Sequence, residues 1–257
     1  MKIALITGAS SGLGAEFARQ IAKLEGSRAV EELWLLARRQ DKLEALAQDL
    51  PRPCKILPLD LLKSEDLDQL KAELSACKPQ IVYLVNSAGW GRQGYFADQE
   101  PQSHQNMVDL NIRSLLDVTY LAKPYLASGS QVLEIASVAS FLPQPAYAVY
   151  AASKSFVLYF SRALHREWRR EGITVTAVCP NLMETEFLAK AGMGGKSKSI
   201  KSLGLEKPSR VVKFALKRSA AGKDLSISSW VGKGIYAASK ILPQSFILWL
   251  ERVLGMY

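Results

Sequence analysis

The chain is poor in the residues that would staple or metallate a fold. Three of its 257 residues are cysteine, Cys54, Cys77 and Cys179. None makes a C-x-x-C pair and an odd number closes no disulfide set, so reduced thiols are expected. Two histidines, His104 and His165, are too few for a histidine-rich metal site, and no metal is expected. No run approaches the ~20 apolar residues that span a bilayer. The N-terminus enters an apolar run at once, without the basic start and long apolar stretch of a signal peptide, so a cytoplasmic location is expected. Acid is the scarcer charge: 24 acidic side chains against 33 basic give a net charge of +9. The surplus fits an anionic partner (nucleic acid, a phosphate-rich cofactor or an acidic substrate) or simply a basic surface. The aromatic residues do not interleave with the basic ones as a base-stacking platform requires, so no nucleic acid is expected.

What is present is an ordinary globular composition, 48% hydrophobic and 22% charged, long enough to bury a core without staples. Short apolar runs at 2–7, 32–37, 54–59, 80–86, 131–136 and 173–179 read as strands buried on both faces. Amphipathic stretches at 13–25, 41–49, 64–76, 105–126 and 151–170 alternate with them, and 209–221 reads as a further helix. Ser64 is expected to cap the third of these, with early acids behind it. The alternation predicts an α/β fold: one doubly wound, Rossmann-like parallel sheet with helices on both faces, in a single domain. A Gly-, Ser- and Lys-rich stretch, about 186–208, reads as a mobile loop beside the substrate. The apolar stretch 241–257 reads as a terminal helix that is buried or faces a partner, with a membrane-surface or substrate-lining helix as the alternative.

Behind the first strand stands Thr7-Gly8-Ala9-Ser10-Ser11-Gly12-Leu13-Gly14. A tight strand-to-helix turn needs residues without a Cβ at its crowded points: Gly8 for the turn, Gly12 for approach to a phosphate, Gly14 for helix packing. The helix that follows offers free N–H groups and a positive dipole end to an anion. Far along the chain, Tyr150 and Lys154 are four apart, which places them on one helical face. A free tyrosine, with a pKa near ~10, is a poor base. A nearby ammonium would favour phenolate. Lowering the pKa by about three units takes roughly 4 kcal/mol.

These motifs together resemble the short-chain dehydrogenase/reductase family over roughly residues 2–187. The spacing T-G-x-x-x-G-x-G at 7–14 is similar to that family's cofactor loop, with Ser10, Ser11 and Leu13 among its contacts. Asn86-Ser87-Ala88-Gly89 resembles the family's N-N-A-G segment, with Ser87 replacing the second Asn, and Asn86, Ala88 and Gly89 then lie against the cofactor. The Tyr-x-x-x-Lys element at 150–154 is the family's catalytic signature. The resemblance implies Ser137, thirteen residues before Tyr150, as the donor to the substrate oxygen. It implies Asn111 as the anchor of a water chain to Lys154, and Asp60 as an adenine contact. Pro180 and Thr185 keep the family's spacing beside the nicotinamide, while Asn181 replaces a Gly; Asn tolerates a left-handed backbone, so the turn is expected to survive. Tyr147 and Ser140 stand near the catalytic pair as decoys, Tyr147 as a pocket wall.

The second strand ends Leu35-Leu36-Ala37-Arg38-Arg39. The family's NAD-preferring members carry an acid where Ala37 stands. A guanidinium grips a 2′-phosphate through two parallel hydrogen bonds, so NADP(H) is expected, with Arg38 the main contact and Arg39 the second. Candidate substrate walls are Trp90, Phe96, Phe141, Leu142, Tyr147, Leu182, Met183, Phe187 and Leu188, mostly apolar. They favour a hydrophobic ketone or secondary alcohol, steroid-like or acyl-chain-like. The alternative is a catalytically silent NADP(H)-binding sensor or scaffold. The resemblance also implies a homodimer or homotetramer built on the helices at 105–126 and 151–170.

Overall fold

In the first strand, β1 (Lys2–Thr7), Ile3 and Leu5 enter one hydrophobic cluster while Ala4 and Ile6 enter another, all fully buried. Successive side chains of a strand point to opposite faces, so a strand covered on both sides needs apolar residues in both registers. The computed structural model describes residues 1–183 and 205–253, and it repeats this logic along the chain. The remaining strands are β2 (Glu32–Leu36), β3 (Cys54–Leu57), β4 (Gln80–Asn86), β5 (Leu126–Ile135), β6 (Thr174–Val178) and β7 (Leu225–Ser226). They form one sheet in the order β3-β2-β1-β4-β5-β6-β7, with every neighbouring pair parallel.

Helices α1 (Gly12–Ile21), α2 (Gln40–Gln48) and α7 (Pro208–Ala220) cover one face through Phe17, Leu43 and Val212. Helices α3 (Ser64–Cys77), α5 (Ser114–Ala122) and α6 (Ala148–Trp168) cover the other through Leu70, Val118 and Leu164. The strand order reverses beside β1, where the chain leaves for β2 on one side and for β4 on the other. That reversal opens a crevice at the C-terminal ends of β1 and β4, the usual ligand position of such sheets. Register sets Thr7 beside Asn86, and Asn86 beside Glu134, at this end.

The six anticipated strands are all present, though β5 begins earlier, at Leu126. The two-residue β7 and helix α8 (Trp230–Ile241) were not anticipated. The single helix read over 105–126 is three pieces: α4 (Pro101–Val108), a π-helical turn (Asp109–Arg113) and α5. In that turn the Ser114 N–H bonds the Asp109 carbonyl, five residues back, while its hydroxyl donates to the Leu110 carbonyl at 2.6 Å. Ser64 does not cap α3. Lys63 holds the N-cap position without a side-chain bond, and Asp66 turns away to accept the Asp60 N–H at 2.6 Å.

The terminal apolar stretch divides at Pro243. Helix α8 ends at Ile241 and α9 (Gln244–Val253) follows. Ile247 is buried in a third cluster with Leu115, Val157 and Phe141, while Phe246, Trp249 and Val253 are exposed. No helix among the described residues is long and apolar enough to cross a membrane.

Candidate active site

The glycine loop closes on its neighbours by contact. Gly8 and Gly12 have φ of +65° and +55°, the left-handed region that a Cβ disfavours. A Cβ on Gly14 would stand 2.3 Å from the Gly8 carbonyl oxygen, and one on Gly8 would stand 2.8 Å from the backbone of Ser87 and Ala88. Gly14 therefore packs on the turn itself rather than on the sheet. Thr7 fastens the two loops together, because its hydroxyl oxygen accepts the N–H groups of Ser87 and Ala88 at 3.1 Å each. Ser11 precedes α1 with extended backbone and makes no side-chain cap bond, so the amides of the first turn keep their capacity to bind an anion. The side chain of Leu13 is buried in the core, which leaves only its backbone for a ligand.

Arg39 crosses from the end of β2 to this loop. Its guanidinium donates to the Ser10 hydroxyl at 3.1 Å and to the Ser11 hydroxyl at 3.0 Å. Arg38 is more exposed and reaches toward Asp60, with 4.0 Å between Nη1 and Oδ2. Asp60 also stabilises its own turn by accepting the Leu62 N–H at 3.2 Å. Two serine hydroxyls, two guanidinium groups and a free helix end make a donor set suited to a phosphorylated dinucleotide, and Ala37 offers no carboxylate to repel a further phosphate.

The second half of the site is built on β4, β5 and α6. Asn86 donates to Thr119 at 2.8 Å and to the Glu134 carboxylate at 3.0 Å, both inside the protein. Ala88 and Gly89 follow at the crevice. A Cβ on Gly89 would stand 2.9 Å from Asn111 Oδ1 and 3.3 Å from Lys154 Nζ, so the bare backbone lets both side chains close in. Asn111 sits in the π-helical turn and clamps Trp90, accepting its N–H at 3.0 Å and donating to its carbonyl at 2.9 Å. It also donates to Ser153 at 3.0 Å. Its side chain thus positions the Gly89 loop, beside the lysine.

Ser137, Tyr150 and Lys154 come together. The Ser137 hydroxyl hydrogen-bonds the Tyr150 phenol and accepts the Ala139 N–H at 3.2 Å. Lys154 Nζ donates to the Ile135 carbonyl at 2.8 Å and lies 6.0 Å from the Tyr150 ring centre. Burial pushes the phenol up to about 12, against the downward pull of the Ser137 hydrogen bond. The expectation that the lysine draws it down does not hold for the protein alone, because desolvation of the phenolate outweighs the ammonium. The same burial lowers Lys154 to about 8, opposed by the nearby charges of Glu134 and Cys179.

The decoys separate cleanly. Ser140 donates to the Lys154 carbonyl at 2.9 Å and accepts the Ser137 N–H, a structural role. Tyr147 packs edge-on against Tyr150 with ring centres 5.7 Å apart, and burial raises its own phenol further. Phe141 is buried against Tyr236 with ring centres 5.0 Å apart in the third cluster, and Leu142 joins it there. Phe96 is exposed and stacks on His104 at 4.5 Å. Met183 packs against the core and pairs with Glu206. Pro180 accepts the Val138 N–H at 3.0 Å. Positive φ angles of described non-glycine residues fall at Lys78 and Ala146, not at Asn181. Asn181 instead donates its N–H to the buried carboxylate of Glu206 at 2.9 Å, which secures the turn without a left-handed residue. Thr185, Phe187, Leu188 and most of the loop at 186–208 lie outside the described residues.

The family model described as short chain dehydrogenase matches residues 2–194. The chain belongs to this family. A human very-long-chain 3-oxoacyl-CoA reductase is 31% identical over 226 residues, covering 83% of this chain and 67% of that protein. A short-chain dehydrogenase from Sphingobium yanoikuyae, solved with NADPH, superposes with a TM-score of 0.79 at 27% identity, over 96% of this chain and 95% of that one. A 3-ketoacyl-(acyl-carrier-protein) reductase from Brucella melitensis, solved with NADH, gives a TM-score of 0.74 at 25% identity, over 88% and 95%. This short-chain dehydrogenase is accordingly an oxidoreductase that acts on CH–OH groups with a nicotinamide cofactor, on a single Rossmann-like sheet.

Three features escaped the sequence reading. Glu134 interrupts the apolar run Val132-Leu133-Glu134-Ile135-Ala136, a visible signal, since a charge inside a buried strand demands a partner. The tie from Arg39 to Ser10 and Ser11 has no sequence signal beyond the charge itself. The Asn181–Glu206 bond joins residues 25 apart in the chain, too far for a local sequence pattern to show.

Proposed function

We propose that this short-chain dehydrogenase reduces a hydrophobic ketone, steroid-like or acyl-chain-like, with NADPH, and oxidises the matching alcohol in reverse. The observation that carries the reading is the hydrogen bond between Ser137 and a Tyr150 phenol that burial keeps protonated. A phenol at about 12 is a proton donor at neutral pH. When bound, the reduced nicotinamide supplies the hydride that reaches the carbonyl carbon. Ser137 holds the carbonyl oxygen in place, and Tyr150 gives its proton to that oxygen as the alcohol forms. The Lys154 ammonium stabilises the phenolate left behind, and water anchored at Asn111 would return the proton by way of Lys154.

Arg38, Arg39, Ser10 and Ser11 would hold the 2′-phosphate, and Ala37 would leave it unopposed. Gly8, Gly12, Gly14, Asp60, Asn86, Ala88, Gly89, Pro180 and Thr185 would complete the cofactor cradle, with Tyr150 and Lys154 holding the nicotinamide ribose. The apolar Trp90 and Leu182 support an apolar substrate, as does the likeness to the human very-long-chain 3-oxoacyl-CoA reductase. A homo-oligomer is supported by the exposed Tyr120 on α5 and Phe156 and Tyr159 on α6, large side chains that a second copy would cover.

The test follows NADPH and NADH absorbance against a panel of steroid ketones, 3-oxoacyl thioesters and sugars. Turnover of an apolar ketone with NADPH preferred is the expected result. Turnover confined to sugars, or a preference for NADH, would refute the corresponding part of the proposal.

A further inference from the structure

Glu134 is a buried acid on β5, immediately before Ile135, whose carbonyl accepts the hydrogen bond of the catalytic lysine. It is 0% exposed. Its Oε1 accepts Asn86 Nδ2 at 3.0 Å and Thr119 Oγ1 at 3.2 Å, while Oε2 has no hydrogen-bond partner. Two neutral donors on one oxygen do not balance a charge taken out of water. Its hydrogen-bond donors are Asn86 from β4 and Thr119 from α5, and the charge of Lys154 on α6 acts on it without a hydrogen bond. Around the lysine stand Tyr150 from its own helix, Cys179 from the end of β6 and Glu134. Among these groups Lys154 supplies the positive charge.

The backbone brings the two charges to one place. Lys154 Nζ donates to the carbonyl of Ile135, the residue immediately after Glu134 on β5. No direct ion pair joins them; the attraction acts through the protein interior, where it is screened far less than in water. Burial pushes Glu134 up to about 7 and Lys154 down to about 8, and each opposes the shift of the other. The protonation state of one is therefore felt by the other.

We propose that Glu134 is the internal counter-ion of Lys154, a positioning residue that keeps the ammonium charged in the closed cleft and thereby sets the alkaline limit of ketone reduction. The catalytic half of this proposal rests on the reductase reading above; the electrostatic half stands by itself. Removing the negative charge makes the buried ammonium easier to deprotonate, and the Tyr150 phenol easier to ionise. Both effects push the loss of reductase activity to lower pH.

The experiment is a pH titration of the Lys154 side-chain carbon by NMR in the wild-type chain and in Glu134→Gln, with the signal assigned by its loss in Lys154→Met. The titration midpoint of Lys154 should fall by about one unit in Glu134→Gln, tenfold in proton affinity. The alkaline limb of kcat/KM for reduction should move down with it. An unmoved lysine overturns the proposal, and a lysine that moves while the limb stays overturns its catalytic half. A purely structural Glu134 would change stability and leave Lys154 where it was. Coupling is reciprocal, so in Lys154→Met the Glu134 carboxyl must titrate higher by the same amount; an unmoved carboxyl is contrary, whether or not Glu134→Gln folds. Coupling observed in a protein that reduces no ketone leaves the counter-ion standing and removes the reductase reading.

Discussion

Tyr150 does its work through three neighbours that the chain supplies from three different elements. Ser137 follows β5, Lys154 stands one helical turn further along α6, and Gly89 follows β4. The pairing of Tyr150 with Lys154 was legible from spacing alone, because four residues on a helix always face together. Ser137 was legible only through the family's spacing. Arg39 was legible as a cofactor contact but its tie to Ser10 and Ser11 was not, since that depends on how far β2 reaches toward the loop; Glu134 stood out as a charge in an apolar run, but its partners depend on which strands flank β5. The residue-scale prediction concerns the two arginines. Arg38→Asp should lower the NADPH/NADH ratio of kcat/KM by at least tenfold, because a carboxylate repels the 2′-phosphate and accepts ribose hydroxyls. A ratio that stays constant in steady-state kinetics with both cofactors would remove Arg38 from recognition of that phosphate.

At the scale of elements, the strands were readable because each is buried on both faces, so its apolar run is continuous. The π-helical turn at Asp109–Arg113 was not readable. The turn carries a local bond from Ser114 and the clamp of Asn111 on Trp90, and neither leaves a mark on the apolar periodicity. β7 is only two residues long and carries too little pattern to detect. The junction most sensitive to substitution is the turn from β1 to α1. Gly14→Ala would set a Cβ 2.3 Å from the Gly8 carbonyl oxygen, a backbone atom that cannot step aside without opening the loop. The variant should lose at least about 2 kcal/mol in denaturant unfolding and bind NADPH more weakly. Wild-type stability together with wild-type affinity would show that the turn is looser than described.

For the molecule as a whole, Glu134 makes stability depend on pH. Its carboxyl is raised from about 4.5 to about 7 on folding, so between these values the folded chain holds a proton that the unfolded chain has lost. Stability from this group is therefore full below about 4.5 and declines as pH rises toward about 7. The decline amounts to about 3 kcal/mol at most. Denaturant unfolding of Glu134→Gln across that window should show a flatter profile than wild type; parallel profiles would mean that the carboxyl does not change its affinity for protons on folding. The exposed aromatic residues of α5 and α6 belong to the same scale. Tyr159→Asp should shift the mass measured by light scattering toward the monomer, and an unchanged mass would place any subunit contact elsewhere. The measurement that bears most directly on the central claim pairs NADPH binding, followed by fluorescence, with ketone turnover in wild type and Tyr150→Phe. The variant should bind NADPH with unchanged affinity and lose turnover by roughly a hundredfold or more. A phenylalanine variant that still reduces the ketone at the wild-type rate would show that the proton comes from another group.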